Sequence, residues 1–354
     1  MRILLIISLL LFVLPSFSQN KETDANSGAT IIKNEKVYSN KNLSNFDDSK
    51  YKALINSKIR VFGEVEEEVW IDTKDLPFYY CNVRLGGFPN TDLEPQKDTC
   101  SFNGAYRFAG YALQDLLKEV KLKKVSQESF RPVIDCYIIV RNDKGESAVF
   151  SWGEIFFAVD PGKIILATYA APILPTKRLY NQPELKYCQV VAANDYYSFR
   201  NIEQPTSIEI VSFKGYFPGK KGQENIGSPT ISLKAGKDVH VIDSNPESGN
   251  SASYVTNFYG LHMGFRGFKN YGGYFVKDYL ANYLSVTKEN IQHGIFAFAA
   301  ADSYRATFSF SELFNRADFN NAVLVDYKGD TEKGRYTIHP PYDFLLTGLF
   351  VQLI

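Results

Sequence analysis

Tyr111-Ala112-Leu113-Gln114-Asp115-Leu116-Leu117 is echoed later in the chain as Tyr274-Phe275-Val276-Lys277-Asp278-Tyr279-Leu280, each time after a lead-in rich in aromatic residues and Gly. Working outward, Asp135-Cys136-Tyr137 finds a match in Asp302-Ser303-Tyr304. Ser151-Trp152-Gly153-Glu154-Ile155-Phe156 is matched by Ser309-Phe310-Ser311-Glu312-Leu313-Phe314, and Ile165-Leu166-Ala167-Thr168-Tyr169 by Val323-Leu324-Val325-Asp326-Tyr327. The last two blocks share one offset of 158 residues with no gap between them. Four blocks kept in order point to an old duplication. Length agrees, because 354 residues exceed what one hydrophobic core usually holds.

Between the blocks the chain reads as β-rich. Runs at 59–65, 69–71, 78–85 and 106–108 are mostly β-branched or aromatic and are bounded by Gly, Pro or Asp, which predicts strands. Residues 112–120 predict one amphipathic helix with Leu113, Leu116, Leu117 and Val120 on its apolar face. A strand at 206–211 closes the first copy, and the Gly- and Pro-rich stretch 214–222 supplies the turn after it. The expected class is α+β, with β-rich mixed sheets and short helices. The first copy is set at 51–212 and the diverged second copy at 213–354, packed together through aromatic-rich faces.

Met1 and Arg2 precede an apolar run at 3–14 and then Pro15-Ser16-Phe17-Ser18, the pattern of a signal peptide (1–18) cleaved after Ser18. That run is shorter than the roughly 20 residues that span a bilayer, so no transmembrane segment is expected after cleavage. Residues 19–50 are rich in Asn, Lys, Ser and Asp and predict a disordered leader. The mature chain is expected to be periplasmic or secreted. With 39 basic and 39 acidic residues the net charge is zero, which argues against nucleic acid as a partner.

Cys81, Cys100, Cys136 and Cys188 all lie in the first half, and His240, His262, His293 and His339 all lie in the second. This segregation offers no mixed zinc-type site. An even cysteine count in an oxidising compartment points to disulfides, with a cofactor thiolate as the other reading. Glu154 and Glu312 each stand three residues after a Ser at the start of a short helix, which is capping-box chemistry.

The block from Ala105 to Leu117, Ala-Tyr-Arg-Phe-Ala-Gly-Tyr-Ala-Leu-Gln-Asp-Leu-Leu, resembles a segment of the molybdopterin-binding domain of the sulfite oxidase family, where an Arg-Trp pair and a Gly precede "LRDLL". Ile59-Arg60-Val61-Phe62-Gly63 with Asp72-Thr73-Lys74-Asp75-Leu76 is similar to that domain's opening. Pro172-Ile173-Leu174-Pro175, Leu185-Lys186-Tyr187-Cys188-Gln189-Val190-Val191 and Ser207-Ile208-Glu209-Ile210 are similar to its later strands. The resemblance covers nearly all of 55–212 and, more faintly, 207–354. It implies two tandem sulfite-oxidase-like folds.

In that family a Cys thiolate ligates molybdenum beside the pterin dithiolene. The equivalent place here falls at Leu85 or Gly86, several residues past Cys81, and a one-residue slip already reverses the face of a strand side chain. The resemblance therefore leaves Cys100 as the candidate metal ligand and Arg107 as the candidate contact to the pterin phosphate. The family's phosphate-gripping His and Arg are replaced by Tyr180-Asn181-Gln182-Pro183-Glu184-Leu185-Lys186. In the second copy the comparable stretch is 333–341, and that copy holds no Cys.

The expected function is thus an exported, molybdopterin-oxidoreductase-like protein with a degenerate cofactor site and no cofactor, acting as a binding or scaffold module for an unidentified protein or small-molecule ligand. The alternative is an active molybdenum-pterin oxidoreductase using Cys100, or in second place Cys81, as ligand with Arg107 near the pterin phosphate. A third reading is a carbohydrate or peptide binder using some of the 23 Tyr and 27 Phe. If the cysteines are structural, Cys81 with Cys100 and Cys136 with Cys188 are the reasonable pairs, each worth roughly 3 to 4 kcal/mol in the chain-entropy account.

Overall fold

A computed structural model of the chain describes residues 22–23, 30–31, 51–89, 101–124, 132–173, 182–215, 230–260, 264–300, 303–326, 335–340 and 351–353. The chain divides into Met1–Asp47 and Asp48–Ile354. In the first unit, Glu22–Thr23 pairs antiparallel with Thr30–Ile31. The rest of the expected signal and leader lies outside the described residues. Everything below concerns the second unit; over the structure as a whole strand outweighs helix about threefold, at 49% against 15%, so the α+β class holds.

The first half runs β1 (Arg60–Gly63), β2 (Val69–Trp70), β3 (Tyr79–Gly87), β4 (Ser101–Ala112), α1 (Leu113–Leu117), β5 (Cys136–Asn142), β6 (Ser147–Ser151), α2 (Trp152–Phe156), β7 (Ile164–Pro172), β8 (Gln189–Ala192), β9 (Ile202–Glu203) and β10 (Pro205–Ser212). One sheet has the order β9-β8-β7-β4-β3, with Lys52–Ala53 added to β7, and the other has the order β2-β1-β10-β5-β6. Ile208 and Ile210 pair in parallel with Val61 and Gly63, while β10 pairs antiparallel with β5, which makes the second sheet mixed. Val83, Phe108, Ile165 and Val190 of the first sheet share one core with Val61, Ile138 and Ile208 of the second.

The second half runs β11 (Ile231–Ala235), β12 (Asp238–Ile242), β13 (Ser251–Gly260), β14 (Gly264–Phe275), α3 (Val276–Leu280), α4 (Lys288–His293), β15 (Ile295–Ala299), β16 (Arg305–Ser309), α5 (Phe310–Phe314), β17 (Val323–Asp326), β18 (Tyr336–His339) and β19 (Val351–Leu353). Its main sheet has the order β19-β18-β17-β14-β13. That is the order of the first sheet, strand for strand. Register repeats as well: Ile165 lies opposite Ala112 and Val191, and Val323 lies opposite Phe275 and His339. At Gly110 an added Cβ would stand 2.0 Å from the Leu166 carbonyl oxygen, and at Gly273 it would stand 2.2 Å from that of Leu324. Both positions demand the residue without a side chain.

One matched block is corrected by this register. Tyr137 lies opposite Ser151 and Ile295 lies opposite Ser309, so Ile295 stands where Tyr137 does. Tyr304 sits instead in the connection ahead of β16. The local letters matched, but the distance to the Ser cap decides the pairing. The predicted helix is also shorter than expected, Leu113–Leu117, yet its buried residues are Leu113, Leu116 and Leu117 as the spacing requires. Fully burying a Leu of this kind stabilises by about 1.5 to 3 kcal/mol.

The two halves meet at a seam that differs from the aromatic contact expected. Ring stacks such as Trp152 on Phe156 and Phe310 on Phe314 lie within one half. Across the seam, Ile134 enters the second half's core, and Phe157 packs against the cores of both halves. Beside them the crossing contacts are polar. Asp135, already paired with Lys124 of its own half, accepts from Arg305 at 2.9 Å, and Thr307 donates to the Cys136 carbonyl at 2.7 Å. Two edges carrying strand-to-helix turns meet here, and such turns present hydroxyls and carboxylates rather than rings.

Candidate functional site

Strand β6 runs straight into α2, and strand β16 runs straight into α5. At each junction the Ser hydroxyl accepts from the backbone N–H of the Glu three residues on, at 3.0 Å for Glu154 and 3.1 Å for Glu312. Each Glu returns the contact to its Ser backbone N–H, at 2.8 Å to Ser151 and 3.1 Å to Ser309. Both are complete capping boxes. The short elements place the two boxes face to face. Ser151 Oγ donates to Glu312 Oε2 at 2.7 Å, from one half to the other.

Arg200, on a short 3-10 turn (Ser198–Arg200), completes the arrangement from the side. Its guanidinium is buried over the Phe150 ring, 4.5 Å from the centroid. Nε and Nη2 donate to the two oxygens of Asp195 at 2.8 and 2.7 Å, while Nη1 donates to Glu154 Oε1 at 2.8 Å and to Ser309 Oγ at 3.2 Å. Burial pulls the Arg200 pKa down, but the two carboxylates outweigh it and raise it above its ordinary value. Burial pushes the Asp195 carboxyl upward against the opposing pull of Arg200. Ser311 Oγ adds a third donor to Asp195 at 3.3 Å.

Glu312 is the odd member. It is 2% exposed, and its Oε1 has no hydrogen-bond partner. Burial, and then the neighbouring Glu154, push its pKa up to about 8 against the Ser151 contact. At neutral pH Glu312 therefore keeps its proton and presents a neutral acid group. It lines a cleft of about 440 Å³ that also touches Glu154, Asp195 and Arg200, with Ala158 and Val159 on one wall. That volume falls within the range of small-molecule sites.

The sequence candidates fall elsewhere. Cys100 lies outside the described residues. Arg107 sits on β4, its guanidinium 5.0 Å from the Tyr80 ring centroid and 5.9 Å from that of Tyr51. Cys81 pairs with Phe108 and Asn82 with Arg107, so the alternation of a strand puts Cys81 in the core and Arg107 on the opposite face. The two are not brought together. Cys81, Cys136 and Cys188 are buried, unbonded thiols here. Burial pushes Cys81 and Cys136 up to about 12, and Cys188 Sγ lies 3.3 Å from Ser57 Oγ.

Of the candidates for holding a molybdenum-pterin group, Cys81 and Arg107 lie among the described residues, and Cys81 faces the core. A metal ligand must be a thiolate, and burial pushes the Cys81 thiol toward its protonated form. In the second half, burial pushes His339 down to about 3, so it is neutral and stacked on Tyr271 at 3.8 Å, while Arg335 faces Asp326 at 3.2 Å. Among the described residues no group of three or more His, Cys, Asp and Glu is placed to hold a metal ion.

No family model and no curated protein matches the chain. Among the described residues no helix is long and apolar enough to cross a membrane. The functional reading therefore rests on the seam itself. Glu154 and Glu312 were legible in the sequence as paired caps, but Arg200 and Asp195 were not. Both sit just past β8, at the end of the stretch that carries the resemblance, and no periodicity marks them. The one signal that pointed to the seam was the recurrence of Ser-x-x-Glu at a constant offset.

Proposed function

We propose that this is an exported binding module on a duplicated, sulfite-oxidase-like scaffold whose cofactor site is degenerate, and that its ligand enters the cleft between the two halves. The observation that carries the reading is the cleft of about 440 Å³ lined by Glu154, Asp195 and Arg200 of the first half and Glu312 of the second. That volume is in the range of small-molecule sites, and the groups around it include charged and hydrogen-bonding side chains from both halves. Export is supported by the charged start and apolar run of the first 18 residues, and descent by duplication is supported by the repeated sheet order and register. The molybdopterin scaffold is supported by the resemblance of 55–212.

Full-length protein made in a host that synthesises the pterin cofactor is expected to carry no stoichiometric molybdenum by elemental analysis. Stoichiometric molybdenum and pterin would replace this reading with the oxidoreductase. Disulfide formation among the four cysteines belongs to the same proposal, and thiol counting under denaturing, non-reducing conditions reads it. For the cleft, Ala158→Trp fills the wall without touching the buried charges, so it is expected to keep the melting temperature while removing ligand binding.

A further inference from the structure

We infer that the second half takes an extended strand of another protein, seated beside β15 at the place that β10 fills in the first half. This goes beyond the cleft and does not depend on it. In the first half β10 is the middle of the sheet β2-β1-β10-β5-β6, parallel to β1 on one side and antiparallel to β5 on the other. The second half keeps the two ends of that sheet. Hairpin β15-β16 repeats β5-β6 pair for pair: Phe296 lies opposite Phe308 as Ile138 lies opposite Phe150, and Phe298 lies opposite Ala306 as Val140 lies opposite Ala148. Hairpin β11-β12 stands in chain order where β1 and β2 stand, and its Ile231 and Leu233 pack on the same core as Phe296 and Phe298. Each hairpin is a sheet of its own, and among the described residues no strand joins them.

The side of β15 away from β16 is ready to be paired. Ala300 N donates to the Tyr304 carbonyl at 2.7 Å, and Phe310 N donates to the Gly294 carbonyl at 2.8 Å. Antiparallel alternation between these two bonds turns the peptide groups of Phe296 and Phe298 toward β16 and those of Ile295, Ala297 and Ala299 outward. Every residue of β15 is only half-buried, whereas every residue of β16 is buried. Under β10, by contrast, Ile138 and Val140 are 0% exposed. Open edges are normally blunted by Lys, Pro or a bulge, and Ile295-Phe296-Ala297-Phe298-Ala299 carries none of these.

The first half says what the occupant must be. Ile208 and Ile210 of β10 lie opposite Val140 and Ile138 and are buried, while Ser207, Glu209 and Val211 between and beside them are half-buried. A strand for the second half therefore needs apolar side chains at alternate positions, opposite Phe298 and Phe296, and accepts polar ones between. Backbone pairing supplies its affinity and the alternate side chains its selectivity. A second copy of this chain cannot donate its own β10, which is held between β1 and β5. The occupant is thus an extended segment of a different protein.

The probe is the acetylated and amidated peptide Pro-Thr-Ser-Ile-Glu-Ile-Val-Ser, the sequence of β10, added to the full-length chain. It is expected to bind and to slow amide hydrogen exchange at Ile295, Ala297 and Ala299 at least tenfold. The peptide carrying Ile208→Asp and Ile210→Asp is expected to bind at least tenfold more weakly. In the protein, Ala297→Pro removes one outward N–H and spares the pairing with β16, so it is expected to keep the melting temperature and weaken the parent peptide at least tenfold. Equal binding of the two peptides, or binding of neither, overturns the inference. Exchange at Ile295, Ala297 and Ala299 that is already as slow in the free protein as at Phe296 and Phe298 also overturns it, because the chain then covers its own edge. Protection that appears with rising protein concentration alone makes a second copy the occupant and overturns it too.

Discussion

Ser151 Oγ donates to Glu312 Oε2 at 2.7 Å, so the cap of one half's helix is also a hydrogen-bond donor to the cap of the other. The two boxes are not merely alike. They are one network with a carboxyl group from each side, and Arg200 reaches into both through Glu154 and Ser309.

Ser151→Ala removes a helix cap and the cross-seam donor together. The loss is expected to be about 1 to 3 kcal/mol, since a cap alone is worth about 1 kcal/mol and the buried Glu312 Oε2 loses a partner. Urea unfolding measures it. A double-mutant cycle with Glu312→Gln is expected to show coupling well beyond the error of the single changes.

Arg200→Met leaves Asp195 and Glu154 buried beside an apolar side chain. The expected cost is about 3 to 5 kcal/mol, because removing one partner strands the other charges. Adding Asp195→Asn and Glu154→Gln to that variant should recover much of the loss. Failure to recover would show that the guanidinium matters through its packing on Phe150 rather than its charge.

Glu312 sets an alkaline limit on stability. Its folded pKa is raised from 4.5 to about 8, so its contribution is complete below pH 4.5 and is lost as pH rises toward 8. The size is a few kcal/mol, at about 1.4 kcal/mol per pH unit across the window. Thermal unfolding from pH 5 to 9 should show this decline in the parent protein and a flatter profile in Glu312→Gln.

His339 sets the opposite limit. Its folded pKa is pushed down from 6.5 to about 3, so its contribution is present above pH 6.5 and is lost as the solution is acidified toward pH 3. His339→Phe keeps a ring against Tyr271 and removes the proton site. The acid arm of a pH-stability profile is expected to flatten in that variant, while the alkaline arm set by Glu312 stays.

Gly110→Ala and Gly273→Ala place a methyl group against the carbonyls of Leu166 and Leu324. Each is expected to destabilise by about 1 to 3 kcal/mol, the usual cost of overpacking. Denaturant unfolding reads both. A large effect at one position and none at the other would show that the equivalent close approaches are unequal in strength.

The repeated frame was legible because it rests on letters spaced by the fold's own period. The Ser-x-x-Glu boxes and the strand positions Ile165 and Val323 kept their separation, and the strand registers follow it. The match of 135–137 with 302–304 failed because a three-residue likeness carries too little information against the fixed distance from hairpin to cap. The strand expected at 106–108 extends over Ser101–Ala112, since Gly104 and Gly110 read as breakers when they stand inside a long strand. Arg200 and Asp195 were illegible for another reason. Their partners Glu154, Ser309 and Ser311 lie far away in sequence, so only the closed tertiary structure brings these charges together.

The segment from Asp195 to Arg200 belongs to the half that is synthesised first, yet Tyr196 N donates to the Asn315 carbonyl at 2.6 Å and Asn315 Nδ2 donates to the Tyr197 carbonyl at 2.9 Å. During translation that half must therefore wait, with its clasp open to solvent, until more than a hundred further residues have emerged. A nascent chain halted in that interval would present unmated backbone groups and a half-assembled ion cage to whatever folding factors attend it. The two halves repeat one sheet order, but neither is a finished unit by itself.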